Sequence, residues 1–165
     1  MLARLLLVLT LLLAACSAKH AQTTWTNAHW GMMRSEVSSA VPGLVPGSGD
    51  HLVTGATADL RLDKADVAGT ALPAEFMFLD GKLQQIMFGD HQYRDNDANA
   101  KAFNRMAAVL RGQYGQETPG KTMDPSLGLS RDSTWVSGDT EIVLGLSPVT
   151  AVTSSLYVIY RPSGK

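Results

Sequence analysis

Ala74-Glu-Phe-Met-Phe-Leu-Asp-Gly-Lys-Leu-Gln-Gln-Ile-Met-Phe88 decides the fold: two apolar runs hinged on Asp80-Gly81. Aromatic and branched residues on both sides of a short segment containing Asp-Gly form the strongest local hairpin signal a sequence offers. If the loop is Asp80-Gly81-Lys82 with Gly81 at positive φ in a bulge, Leu79 faces Leu83 and Phe76 faces Ile86. That register places Phe76, Phe78, Ile86 and Phe88 on one face, lining a core. Met77, Leu79, Leu83, Gln85 and Met87 fall on the other face, which is too apolar to be fully solvated, so part of it is expected to be covered as well.

Elements of two kinds flank this hairpin. Downstream, Phe103, Met106, Ala107, Leu110 and Tyr114 make an apolar stripe at helical spacing over 98–114, with Asp95 or Asp97 placed to cap its start and Gly115 its end. Trp135-Val136 then meets Thr140–Leu146 across Ser137-Gly138-Asp139, a second hairpin with Thr140, Ile142, Leu144 and Leu146 on one face. Ser154–Arg161 is the last strand, stopped by Pro162. Upstream, Met33, Val37 and Val41 lie four residues apart on a short helix ended by Pro42-Gly43, with Met33 where a capping Ser or Thr is expected before Glu36. Ala58, Leu60 and Leu62 alternate with Asp59, Arg61 and Asp63 in an edge strand, and 66–72 reads as a further short extended piece. The expectation is an α+β fold: an antiparallel sheet of about six strands with two helices on one face, in the order α-β-β-β-α-β-β-β. Its two halves repeat an architecture without repeating a sequence.

The start of the chain carries an address. One positive charge at Arg4, an apolar run from Leu5 to Ala15 broken only by Thr10, and small residues at its end are the parts of a secretory signal, too short to span a bilayer stably. Residues 1–15 are read as that signal, 16–29 as a small, polar tether, and 30–162 as one α+β domain. Cys16 is the only cysteine, so no intramolecular disulfide forms. Loss of the signal leaves 13 basic residues, 14 less Arg4, against 15 acidic ones, and no basic excess points to nucleic acid or anionic lipid.

Few residues invite catalysis. No Gly-x-Ser-x-Gly occurs. Gly49-Asp50-His51 and Gly89-Asp90-His91 each set a carboxylate beside an imidazole, and together they are the candidate pair for a small hydrolase or metal-binding enzyme. Both tripeptides fall where Gly and Asp are ordinary turn composition, and neither His has a second ligand at helical or hairpin spacing. A Cu(I) cluster among the six methionines after Met1 is outweighed by the core-periodic positions of Met77, Met87 and Met106. Gly115-Gln-Glu-Thr-Pro-Gly-Lys121 is no phosphate loop, because no strand precedes it and Pro119 removes a backbone donor. No catalytic residue, metal site or cofactor is expected. The long segment 115–131, with Met123 and Leu127, and the Trp25–His29–Trp30 cluster are the candidate partner-binding surfaces. A core anchor for Trp30 and a lid for Trp25 is the competing reading.

Leu13-Ala14-Ala15-Cys16 resembles the bacterial lipobox, in which the Cys is acylated and becomes the first mature residue. Trp30-Gly31-Met32 with Glu36-Val37, Phe78-Leu-Asp-Gly-Lys-Leu83 with Ile86, Leu110, Tyr114-Gly115, Trp135 and Ile142-Val-Leu144 then resemble, loosely over 30–161, small proteobacterial lipoproteins of the SmpA/OmlA (BamE-like) outer-membrane group and β-lactamase-inhibitor-like proteins. That outer-membrane group is typically shorter and pairs its helices before the sheet, unlike this chain. The resemblance implies a noncatalytic protein-interaction or scaffolding lipoprotein, held through Cys16 at the outer membrane and facing an envelope protein partner in the periplasm. Ser17, in place of the Asp that marks inner-membrane retention, fits that sorting. A periplasmic binder of a small apolar ligand is the further alternative.

Overall fold

A computed structural model describes residues 25–89, 93–119 and 130–164. The fold is α+β: among the described residues, one open, antiparallel sheet with two helices. The elements are α1 (Arg34–Ala40), β1 (Val45–Pro46), β2 (Thr57–Val67), β3 (Thr70–Leu79), β4 (Lys82–Phe88), β5 (Arg94–Asp95), α2 (Asn96–Tyr114), β6 (Thr118–Pro119), β7 (Arg131–Ser137), β8 (Thr140–Pro148) and β9 (Thr153–Pro162). The sheet runs β1-β2-β3-β4-β9-β8-β7-β6, with β5 pairing to β9 off that path. The expectation of about six strands is corrected to nine among the described residues, because β1, β5 and β6 are two-residue strands too short to show a period.

The first half is α1, β1 and the meander β2-β3-β4, the second is β5, α2, β6 and the meander β7-β8-β9, and the two meanders meet where β4 pairs antiparallel with β9. Among the described residues the outer edges are β1 and β6, and each ends in a proline. One cross-strand row, Leu60–Phe76–Ile86–Tyr160–Ile142–Trp135, runs through six strands and is buried throughout. It packs with Val37 and Val41 of the α1 end, and with Phe103, Met106, Ala107 and Leu110 of α2, in a single core. Both helices therefore lie on this face.

The central hairpin forms with a tighter turn than expected. Asp80 and Gly81 both take positive φ, 52° and 72°, and Leu79 pairs with Lys82, so the loop is two residues long. The irregularity sits instead between Met77 and Phe78, where Phe78 pairs with Leu83 and Met77 with Gln85. The extra residue on β4 turns Leu83 onto the face of Ile86, and Leu83 is fully buried in the main core. The expected pairing of Leu79 with Leu83 is thus corrected, while Phe76 does pair with Ile86.

Residues 66–72 are not a separate extended piece. They carry β2 through Ala68-Gly69, both at positive φ, into β3. Within β2 a shift between Ala58 and Leu60 puts Ala58 opposite Met77 and Leu60 opposite Phe76, so Ala58 and Leu60 occupy different faces rather than one stripe. Ala56, Ala58 and Met77, with Leu52 and Leu79 beside them, form the small cluster that covers part of the second face.

The helices follow their caps. Asp95 accepts from the backbone N–H groups of Asp97 and Ala98 at 2.9 and 3.1 Å, and the Gly115 N–H closes the other end of α2 on the Arg111 carbonyl. Asn99, on the buried side of α2, donates its amide to the Ser154 carbonyl at 2.8 Å and ties helix to sheet. At α1, the Met33 N–H donates to the Glu36 carboxylate at 2.6 Å, half of a capping box. Met33 is the cap residue and half exposed, so the expected Met33–Val37–Val41 stripe reduces to Val37 and Val41.

Candidate functional site

The face of the sheet opposite the helices is set by the residues one position along from the core row. Arg61–Glu75–Met87–Ile159–Val143–Thr134 follow one another across the same six strands. Alternation along each strand points them away from the core. Met87, Ile159 and Val143 are half-buried and adjacent, an apolar centre made from both halves of the chain. No described helix packs on this face.

Polar groups ring that centre. Tyr157 lies across Gly145, where a Cβ would fall 2.1 Å from the ring carbon Cζ, and its hydroxyl donates to the Asp132 carboxylate at 3.3 Å. Burial, reinforced by Asp132, pushes the Tyr157 phenol up to about 12. Glu141 and Arg161, paired across β8 and β9, form an ion pair, and Arg61 pairs with Asp63 at 2.8 Å. Glu75 is 8 % exposed and makes no hydrogen bond or ion pair with a described residue. A cleft of about 280 Å³ opens at one end of the face, lined by Leu52, Ala56, Leu79, Gln85, Arg161 and Pro162 among others.

The residues singled out from the sequence are scattered relative to this face. Trp25 stacks edge-on against Phe76 and Phe88, at centroid distances of 6.1 and 5.3 Å, and its indole N–H donates to the Asp66 carbonyl at 3.3 Å. Its ring is committed to the core as a lid, the reading that competed with a partner contact. Ala28 is fully buried, so the folded unit begins by Trp25 and the expected tether of 16–29 is shorter at its C-terminal end. Half-buried His29 donates its backbone N–H to the Met32 sulfur at 3.3 Å, and Trp30 donates its indole N–H to the buried Thr140 hydroxyl at 2.9 Å. Cys16, Met123, Leu127 and His91 lie outside the described residues.

His51 is exposed, and its Nδ1 lies 3.1 Å from the Thr57 hydroxyl. Among the described residues, no three His, Cys, Asp or Glu side chains come together as a metal site. Nor, among those residues, is any helix long and apolar enough to cross a membrane. The signal that locates the helix-free face was present in the sequence as the surplus of apolar residues at Met77, Leu79 and Met87. Its continuation through Ile159 and Val143 required the β4–β9 pairing, which no local pattern announces. Comparisons with family models, curated proteins and solved structures found no match.

Proposed function

We propose that this chain is an envelope lipoprotein, anchored by acylated Cys16 at the outer membrane, whose folded unit is a noncatalytic module meeting a protein partner in the periplasm through its helix-free face. The anchor rests on Leu13-Ala14-Ala15-Cys16 behind an apolar signal. The docking surface rests on one observation, the adjacent half-buried Met87, Ile159 and Val143 on a sheet face with no described helix over it. An apolar centre with a polar rim is the composition of a recognition surface.

Two variants test the reading. Cys16→Ala is expected to move the protein from the membrane fraction to the soluble periplasm, and retention in the membrane fraction with no acyl label on the wild type would reject the anchor. Val143→Asp is expected to abolish co-purification of the partner from envelope extracts while leaving the thermal melt near that of the wild type, because Val143 lies outside the main core. A complex that survives Val143→Asp would rule this face out.

A further inference from the structure

Glu75 is the one carboxylate of the helix-free row, and it is unmatched among the described residues. Its neighbours across the strands are Arg61 on one side and Met87 on the other, and Arg61 is engaged with Asp63. The other charges near the apolar centre are matched: Glu141 with Arg161, and Asp132 with the Tyr157 hydroxyl. Glu75 is 8 % exposed before anything docks, so its remaining water lies on the open side of the sheet.

A partner that covered Met87 and Ile159 with apolar groups alone would strip that water and leave the carboxylate only Arg61, already engaged with Asp63, to compensate it, which is unfavourable. A partner carrying an ammonium or guanidinium at that point replaces the water with a charge-assisted hydrogen bond. We propose that Glu75 receives a lysine or arginine side chain of the docking protein, set beside apolar residues that cover Met87 and Ile159. This rests on the docking face proposed above. Adjacent strands lie about 4.8 Å apart, so the cation and its first apolar neighbour are separated by about that distance. Glu75 thereby acts in selection, because a neutral or acidic segment of the same shape meets an uncompensated buried charge.

Three capped tripeptides, Phe-Lys-Leu, Phe-Gln-Leu and Phe-Glu-Leu, titrated into the whole folded chain and followed by amide chemical shifts at residues 75, 87 and 159, test this. The Lys peptide is expected to bind about fivefold more tightly than the Gln peptide, the size of a partly shielded ion pair. The Glu peptide should be weakest. Glu75→Gln should abolish the difference between Lys and Gln, and Arg61→Gln, which removes a competing cation, should enlarge it. Equal binding of all three peptides at this face overturns the role of Glu75 and leaves the docking face standing. Shifts that avoid residues 75, 87 and 159 with every peptide overturn both. Unchanged preference for Lys in a Glu75→Gln chain whose amide spectrum remains dispersed also overturns the assignment.

Discussion

Replacing Trp25 with Ala is expected to destabilise the fold, because this residue closes one end of the core. Its ring contacts Phe76 and Phe88 edge-on at 6.1 and 5.3 Å, and both phenylalanines are fully buried beneath it. Each aromatic pair contributes about 0.5–1.5 kcal/mol beyond area burial. Adding the apolar area newly exposed, and discounting because Trp25 is itself only half-buried, places the loss at about 3 kcal/mol, the low end of Trp→Ala costs in cores. For a domain of this size that lowers Tm by about 10 °C. Urea unfolding followed by far-UV circular dichroism measures it. Trp25→Phe should recover most of the stability, since it keeps a ring over Phe88 and loses only the exposed bond to the Asp66 carbonyl. A loss below about 0.5 kcal/mol, the ordinary range of surface substitutions, would refute the lid and return Trp25 to the partner-binding candidates.

Two glycines predict opposite signs. At Gly47 a Cβ would lie 2.1 Å from the Ala58 carbonyl oxygen and 2.8 Å from the Leu60 nitrogen, all backbone, so Gly47→Ala should cost about 1–3 kcal/mol by denaturant melt. At Gly112, inside α2 with open space around it, Ala should stabilise by up to about 1 kcal/mol in the same assay. Alkaline pH should weaken the fold through Tyr157. Its folded phenol is pushed up to about 12 from an ordinary 10, so its contribution is full below pH 10 and is lost as pH rises through 12. Wild type should lose stability relative to Tyr157→Phe over that interval, and a gap that stays constant from pH 8 to 12 would contradict the burial. Asn99→Ala should cost about 1–3 kcal/mol, because it leaves the buried Ser154 carbonyl without its side-chain donor.

The parts of this fold legible in the sequence are those whose information is local. The α2 stripe, its Asp95 cap and its Gly115 stop all lie within one helix, and the Asp80-Gly81 hinge identifies its hairpin. Register was less legible. Asp80 adopts a positive φ that its side chain tolerates, which gave a two-residue turn, and the displaced bulge then moved Leu83 from one face to the other. The same happened at Asp59 in β2, where one extra residue separated Ala58 from Leu60. The candidate site was least legible of all. Glu75 looks like an ordinary alternating polar residue, and its near-burial, between Arg61 and Met87 on two other strands, is set by tertiary structure. Trp25 looked like an outlying aromatic because the rings beneath it come from strands fifty or more residues further along.

The two proline-ended edges limit how this sheet associates. An exposed strand with free N–H and C=O groups is a template for another strand, and long flat edges drive chains to stack. Among the described residues each rim carries a two-residue strand, Val45–Pro46 beside Leu60 and Arg61 of β2 and Thr118–Pro119 beside Ser133 and Thr134 of β7, and a proline brings no N–H to either. Self-templated fibre growth therefore loses a backbone donor at Pro46 and at Pro119. An extended peptide laid against either two-residue strand meets the same missing donor. Deleting Pro46 and Pro119 by exchange for Val would restore a donor on both rims, and light scattering during prolonged incubation should then rise well ahead of the parent chain.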